Sequence, residues 1–224
     1  MNPRQFLSSV VFVLAVLAAG NVSAQDRTAP FTAAEREAVY AASIEKRATN
    51  IVAALKVTDA AKATRVHDAI IVQYRALRAR DAAIDEMFVA LSSDSPGIET
   101  NRATILPILS EALHAQFIER LSADLTPEQI EIVMDKMTYN KVQVTYDAYC
   151  EIIPNLTTDE KAMILKELKA AREVAVDGGS ADEKTAIFQK YKNKINATLN
   201  AKGYDVAKAT SEWEAKQAKA NNTE

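Results

Sequence analysis

The residues of this 224-residue sequence that are best suited to chemistry are tyrosines interspersed with cations in its second half. Tyrosine rings stack on the apolar faces of sugars, and arginine or lysine pairs with carboxylates. At helical spacing, a tyrosine is also typical of a core edge where its hydroxyl bonds one partner. The candidate residues for a groove that binds an acidic ligand are Tyr139, Tyr146, Tyr149, Arg172, Glu173, Asp177, Lys190, Lys192, Tyr204 and Asp205.

The strongest local excess of positive charge lies between Asp182 and Lys202, where five lysines accompany two acids. This segment is the best candidate in the sequence for contact with an anionic ligand. An enzyme at this position would need a base. A tyrosine or lysine next to Arg172 could abstract the proton alpha to a neutralised uronate carboxylate, as in a lyase. The sequence assigns no catalytic residue and leaves binding without catalysis open.

Other reactive residue types form no recognisable catalytic or metal motif. His67 and His114 lack the spacing of zinc ligands, and we interpret them as structural or surface histidines. Asp81 and Asp85 lie one helical turn apart, but a solvated charged face is the favoured interpretation. Cys150 is the only cysteine, which excludes an intramolecular disulfide and favours a small buried side chain over a reactive thiol. We expect no cofactor and no metal.

The charge balance argues against nucleic acid as a partner. The chain has 27 lysines and arginines against 30 acids, a formal net charge of −3, and both signs are mixed along it. A nucleic-acid-binding protein normally shows a basic excess or a basic stripe, and this sequence has neither over its whole length. An acidic oligosaccharide is the partner that the candidate groove favours.

The composition predicts helices joined by short loops. Only five glycines and six prolines occur, and 48% of the residues are hydrophobic. Hydroxyl residues followed three positions later by Glu or Gln predict capping boxes at Thr32, Thr126, Thr157 and Ser180. Thr58 and Asp205 are further N-cap candidates. We therefore expect an all-α fold, a single-domain bundle of about seven helices over residues 25–224.

Hydrophobic periodicity places the longest helix near residues 59–91. There Ala63, Ile70, Leu77, Ile84 and Leu91 recur every seven positions, with a companion seam of Val66, Tyr74 and Phe88. The first helix is expected over residues 33–55, and the last two over 181–201 and 206–218. The inward stripe predicted for the first helix consists of Val39, Ala48, Ile51, Val52 and Leu55.

Two segments are harder to assign. Residues 92–100 predict a loop, after which Pro107 should kink or delay the next helix, expected over residues 108–121. Residues 142–146 alternate like a strand. A lone strand would have no partner, and the three- and four-residue spacing continues to Ile153, so helix is favoured for residues 141–153.

The first 24 residues are typical of a cleavable secretory signal. Arg4 precedes an apolar stretch over residues 10–19, and small residues at Val22–Ala24 suit a signal peptidase. We expect the chain to be exported, to the periplasm of a Gram-negative bacterium or beyond it. No later stretch is apolar enough to span a membrane, so we expect no membrane span after signal cleavage.

Several motifs in residues 125–205 resemble one known family. The motifs MTY, VTYDAY, AREVAVD, KYKNKIN and GYD, together with the earlier IVAALKVTDAAKATRVHDAIIVQYRAL, are similar to the DUF3826 family of exported bacterial proteins. The resemblance covers most of the chain after the signal. It implies a periplasmic protein often encoded among polysaccharide-utilisation genes, particularly for pectin-like glycans, without an established activity.

The leading hypothesis is therefore an exported accessory protein of glycan utilisation that binds or processes an anionic oligosaccharide. If it is an enzyme, we expect a polysaccharide lyase or hydrolase that acts on uronic-acid glycans. A second class is a periplasmic chaperone, because the segments that begin at Leu125 and Leu156 resemble the LTxxQ motif of the Spy and CpxP family. A non-catalytic structural helical protein is a third class. The sequence does not define the oligomeric state.

Overall fold

The computed structural model describes residues 31–90 and 98–221, which form eight α-helices and no β-strand. The expected all-α class is confirmed, with eight helices in this part of the chain rather than about seven. The chain divides by its internal contacts into Met1–Ala38 and Val39–Glu224. The helices are α1 (Ala33–Leu55), α2 (Ala60–Ala90), α3 (Ile98–Ser122), α4 (Pro127–Met137), α5 (Lys141–Ile152), α6 (Thr158–Ala175), α7 (Ala181–Ala201) and α8 (Val206–Asn221).

Some expectations fall outside the described residues. These are the signal over residues 1–24, Leu91 in the long seam, and the loop over residues 92–97. The remainder of that loop prediction is wrong, because residues 98–100 already belong to α3. Across the described ranges, no helix combines the length and apolar content that a membrane span requires.

The predicted N-terminal caps explain most of the helix starts. Thr126 and Thr157 form reciprocal capping boxes with Gln129 and Glu160, and Thr32 exchanges bonds with Glu35 in the same way. Ser180 accepts the Glu183 amide, but the Glu183 side chain bonds Gly179 N–H instead, so this box is only half formed. Asp205 caps α8 through Lys208 N–H.

The cap of α2 was predicted one residue too early. Asp59, not Thr58, accepts the N–H of Lys62, at 3.0 Å. Threonine and aspartate are both good N-cap residues. Here the Asp59 carboxylate, rather than the Thr58 hydroxyl, bonds the N3 amide of Lys62. The helix consequently begins at Ala60.

Two hydrophobic cores are built from different helices. The first joins α1–α4 around Ile70, Phe117 and Leu121, and it also includes Val176 from the α6–α7 loop. The second joins α5–α8 around Ile164 and Leu168 and includes Ala175. Because Ala175 and Val176 are adjacent in the chain, the end of α6 connects the two cores.

The expected inward stripe of α1 is partly wrong. Val39 is 59% exposed, whereas Ile44, Ala48, Ile51 and Leu55 are buried. The buried residues that α1 contributes to the first core begin at Ile44. Ala48 and Ile51 follow it by four and seven positions, so the three residues share one face of the helix.

Pro107 lies inside α3, so the expectation that it delays the helix is wrong. A proline in a helix interior removes one hydrogen bond at a cost of about 3 kcal/mol. Tertiary packing offsets that cost, because Phe117 and Leu121 farther along the same helix are fully buried in the first core. For residues 141–152 the favoured interpretation as helix is confirmed by α5.

Glu160 ties the start of α6 to the turn between α7 and α8. Its carboxylate accepts Thr157 N–H at 2.9 Å and the Tyr204 hydroxyl at 2.7 Å, and Lys202 Nζ lies 3.5 Å away. The backbone bond from Thr157, followed by the bond from Tyr204, lowers the pKa of Glu160 to about 2. The folded protein therefore stabilises the ionised form of the Glu160 carboxyl group.

Replacement of Glu160 by glutamine should change the acid stability of the protein. The folded-state pKa lies below the unfolded value of 4.5, so the stabilisation is present above pH 4.5 and is lost as the pH falls towards 2. We expect Glu160→Gln to lower the urea midpoint at pH 7, and the difference from wild type to shrink across that window. Glu214→Gln, an exposed change on α8, is the control. A difference that is independent of pH would contradict the assignment.

Candidate functional site

A cleft of about 200 Å³ opens within residues 39–224, where α1, α2, the α4–α5 turn and the start of α7 meet. Three tyrosines and two cations line it, together with a glycine pair. We refer to this feature as the cleft. Its lining residues are Tyr40, Ser43, Ile44, Arg47, Tyr74, Leu77, Tyr139, Gly178, Gly179, Ser180, Ala181 and Lys184.

Arg47 lies between two aromatic rings of the cleft. Its guanidinium carbon is 5.9 Å from the ring centroid of Tyr74 and 5.7 Å from that of Tyr139. Both distances fall within the range of a cation–π contact. Among the side chains that the structure describes, no carboxylate forms an ion pair with Arg47. The cleft therefore presents a cation that is held by rings and is available to an anion.

Burial of Tyr74 keeps its phenol protonated. Desolvation raises the pKa of Tyr74 to about 12, although the charge of Arg47 opposes the shift. The hydroxyl of Tyr40 donates to the Tyr74 carbonyl oxygen at 2.8 Å, which fixes α1 against α2 beside the cleft. At neutral pH the Tyr74 ring is therefore uncharged and can contact an apolar face of a ligand.

Tyr139 reaches the cleft from a strained turn. Tyr139 and Asn140 have φ values of 60° and 54°, in the left-handed region that bulky residues rarely adopt. The turn is held by Asn140 N–H, which donates to the Asp135 carbonyl at 2.7 Å, and by the buried Thr138 hydroxyl, which donates to Met134. Such strain costs about 1–3 kcal/mol and is concentrated at functional sites in proteins.

Lys184 is the second cation that lines the cleft, and it is only 2% exposed. Its Nζ donates to the carbonyl oxygens of Ala175 and Val176, each at 2.9 Å, at the end of α6. The Ala175 carbonyl also accepts Gly178 N–H. Burial lowers the pKa of Lys184 to about 8. Asp177 and Glu183 oppose that shift, and the nearby guanidinium groups add to it.

A network of buried polar groups fixes the α6–α7 loop beneath the cleft. The Asp177 carboxylate accepts Gln73 Nε2 at 3.2 Å and His114 Nδ1 at 2.8 Å, and the Asp177 carbonyl accepts Arg80 Nη1 at 2.9 Å. Arg80 also donates to Ser110 at 2.8 Å. The hydrogen bond to Asp177 raises the pKa of His114. Side chains of α2 and α3 therefore hold both the side chain and the backbone of the loop.

Gly179 has no room for a side chain. A Cβ atom built on it would lie 1.6 Å from Asp81 Oδ2, and Asp81 itself is held by Arg80 at 2.7 Å. At Gly178 a Cβ atom would lie 3.0 Å from Lys184 Cγ. The glycine pair therefore lets the loop approach α2 and Lys184 closely, which shapes one wall of the cleft.

Of the ten candidates from sequence, the structure places only Tyr139 in the cleft, with Asp177 in the network beneath it. Arg172 is 2% exposed and bonds Asp135 at 2.9 Å and Glu173 at 3.1 Å. Because three acids surround its guanidinium, including Glu131 at 3.6 Å, its charge is already compensated.

The other candidates lie on α5, on α7 and in the turn between α7 and α8. Burial raises the pKa of Tyr149 to about 12. Its hydroxyl donates to Asn196 Oδ1 at 2.5 Å and lies 3.3 Å from the Lys192 carbonyl oxygen. Tyr204 donates to Glu160, and Asp205 caps α8. Three further candidates also lie outside the cleft. Tyr146 and Lys192 are half-buried, and Lys190 is exposed.

Sequence reasoning did not single out Tyr40, Arg47, Tyr74 or Lys184 as binding residues. Tyr74 was assigned to the seam of the long helix, and it does contribute to the first core. The excess of lysines between Asp182 and Lys202 was a usable signal, because that segment contains Lys184. Arg47 carries no local signal, since only tertiary packing brings it between two rings.

The side chains of this site are aromatic and cationic rather than metal-binding. No group of three or more His, Cys, Asp or Glu side chains within the described ranges is placed to hold a metal ion. The fold and the cleft define a helical bundle protein with a small cleft lined by tyrosines and cations. A family model described as "Protein of unknown function (DUF3826)" matches residues 41–220, and the chain belongs to that family. No curated protein sequence matches the chain.

Replacement of Gly179 by alanine tests the close approach of the loop to α2. We expect Gly179→Ala to destabilise the protein by about 1–3 kcal/mol, because the new methyl group overlaps Asp81. Asp81→Ala removes the obstacle, so the double variant should be more stable than additivity predicts, by about 0.5–3 kcal/mol. Chemical denaturation of the four proteins measures this coupling. Strict additivity would show that the two residues do not meet.

Proposed function

We propose that the protein is an exported accessory protein of acidic-polysaccharide utilisation, and that it binds an anionic oligosaccharide through the cleft. The observation that carries the proposal is Arg47, a cation between the rings of Tyr74 and Tyr139 without a carboxylate partner in the described chain. A sugar acid supplies the missing carboxylate, and its apolar ring face suits the tyrosines.

The size and charge of the cleft favour one acidic sugar residue. A volume of about 200 Å³ is below the range of about 300–1,000 Å³ that holds drug-sized ligands. The nearest acids are already bonded, Asp81 to Arg80 and Glu183 to Gly179 N–H. Tyr139 is 41% exposed and offers its ring to the next sugar outside the cleft.

Export is part of the same proposal. Arg4, the apolar residues 10–19 and the small residues at Val22–Ala24 support a secretory signal, and the resemblance to exported proteins agrees with it. Acidic polysaccharides that are degraded outside the cytoplasm would meet the protein there. The segments that resemble the chaperone motif LTxxQ form the capping boxes of α4 and α6, and this accounts for their pattern without a chaperone role.

The charge of Arg47 should dominate binding. Loss of a charge-assisted hydrogen bond costs about 1.5–3 kcal/mol, so Arg47→Met should weaken the binding of digalacturonate about 10- to 100-fold in calorimetry. Methionine retains an apolar stem between the rings. Lys190→Met, an exposed change on the same basic helix as Lys184 but outside the cleft, is the matched control. Equal affinity of the two variants would contradict the site, and an unsaturated product that absorbs in the ultraviolet would show lyase activity.

The strained turn provides a second pair of variants. Glycine adopts the left-handed conformation without penalty, so Tyr139→Gly should remove strain of about 1–3 kcal/mol and lose a cation–π contact of about 0.5–1 kcal/mol. We expect an unchanged or higher melting temperature together with weaker digalacturonate binding. Asn140→Gly relieves the same kind of strain beside the cleft and should bind as wild type does. Similar binding by both variants would show that the Tyr139 ring does not contact the ligand.

A further inference from the structure

The two hydrogen bonds of Lys184 match the two N–H donors of a neutral amine. An ammonium group has three N–H donors, whereas a neutral amine has two and a lone pair. Within the described chain, Lys184 Nζ has two acceptors, the carbonyls of Ala175 and Val176. Both N–H groups of a neutral amine are therefore satisfied, and a third proton would have no acceptor in a side chain that is almost fully buried.

Some charges around Lys184 raise its pKa and others lower it. The groups that face it are Arg47 from α1, Arg80 from α2, Asp177 from the α6–α7 loop and Glu183 from α7. Burial and the two guanidinium groups outweigh the two acids, so the pKa of Lys184 falls to about 8. A desolvated lysine beside other cations is the usual setting of a nucleophilic amine.

We propose that Lys184 is a nucleophile that forms an imine with a small acid that also has a free aldehyde or ketone group, while Arg47 holds the carboxylate. This inference rests on the proposed function, because the cleft must first bind the acid. The substrate class is an open-chain uronic acid or another oxo acid of similar size. A polysaccharide interior has no free carbonyl, so the reaction that supplies this substrate must cleave the polymer and release a reducing end.

The chemical step balances without a further reactant. The Nζ lone pair attacks the carbonyl carbon, and the carbonyl oxygen takes a proton to give a carbinolamine. Loss of that oxygen as water, with the two amine protons, leaves a C=N bond between Nζ and the substrate carbon. The imine nitrogen has no N–H, so imine formation breaks the hydrogen bonds that Lys184 Nζ now donates to Ala175 and Val176.

Reductive trapping tests the inference on the full chain. The protein is incubated with D-galacturonate or pyruvate and sodium cyanoborohydride, which delivers hydride to the imine carbon and fixes a secondary amine. Peptide mass mapping then locates the added mass. We expect labelling at Lys184 to exceed labelling at the exposed Lys190 at least tenfold, and to rise with pH through about 8. Equal labelling of both lysines, or none at Lys184, would overturn the inference.

Variants separate this inference from the binding proposal. Lys184→Met should abolish the label, and wild-type peptide mapping remains decisive if that variant does not fold. Arg47→Met should reduce labelling by pyruvate at least tenfold more than it reduces labelling by acetaldehyde, which has no carboxylate. Digalacturonate binding without a label at Lys184 would refute the nucleophile alone. A label from pyruvate without uronate binding would refute the saccharide proposal alone.

Discussion

Polar side chains buried around the end of α6 impose the constraint on which the rest of the structure depends. Arg80, Asp177 and Lys184 are at most 8% exposed, and a buried polar group is costly unless it is hydrogen-bonded. Two of the three are satisfied in part by main-chain carbonyls of residues 175–177. The backbone of this loop is consequently fixed by side chains from α2 and α7.

The same loop determines how the two cores meet. Ala175 belongs to the core of α5–α8, and Val176 belongs to the core of α1–α4. The bonds from Arg80 and Lys184 fix the backbone between the two cores. The glycine pair that follows lets the chain pass within contact distance of Asp81. The cleft is the space that this arrangement leaves beside Arg47.

Local chemistry made much of the fold predictable. Capping boxes at Thr126 and Thr157 depend on residues three positions apart, and the structure contains both. The seven-residue period predicted the long helix, in which Ile70, Leu77 and Ile84 are buried. Pro107 was misjudged because the packing of Phe117 and Leu121 offsets a local penalty. Where tertiary contacts outweigh propensity, the sequence pattern alone is insufficient.

The candidate site was less predictable for a physical reason. The sequence alone does not show whether carboxylates compensate the charge of a given arginine or lysine. Arg172 is surrounded by three carboxylates, whereas Arg47 lies between two rings, and only the packing of separate helices distinguishes them. Tyrosines likewise divide between cores and clefts, as Tyr149 and Tyr139 do.

The most direct test of the central claim is an amide NMR titration of the protein with digalacturonate, because it reports the position of the ligand without any substitution. The cleft predicts the largest shift changes at the amides of Tyr139, Gly178 and Gly179, with small changes along the outer face of α7 near Lys190. Shifts centred on Lys190 and Lys192, or no shifts at millimolar ligand, would contradict the account.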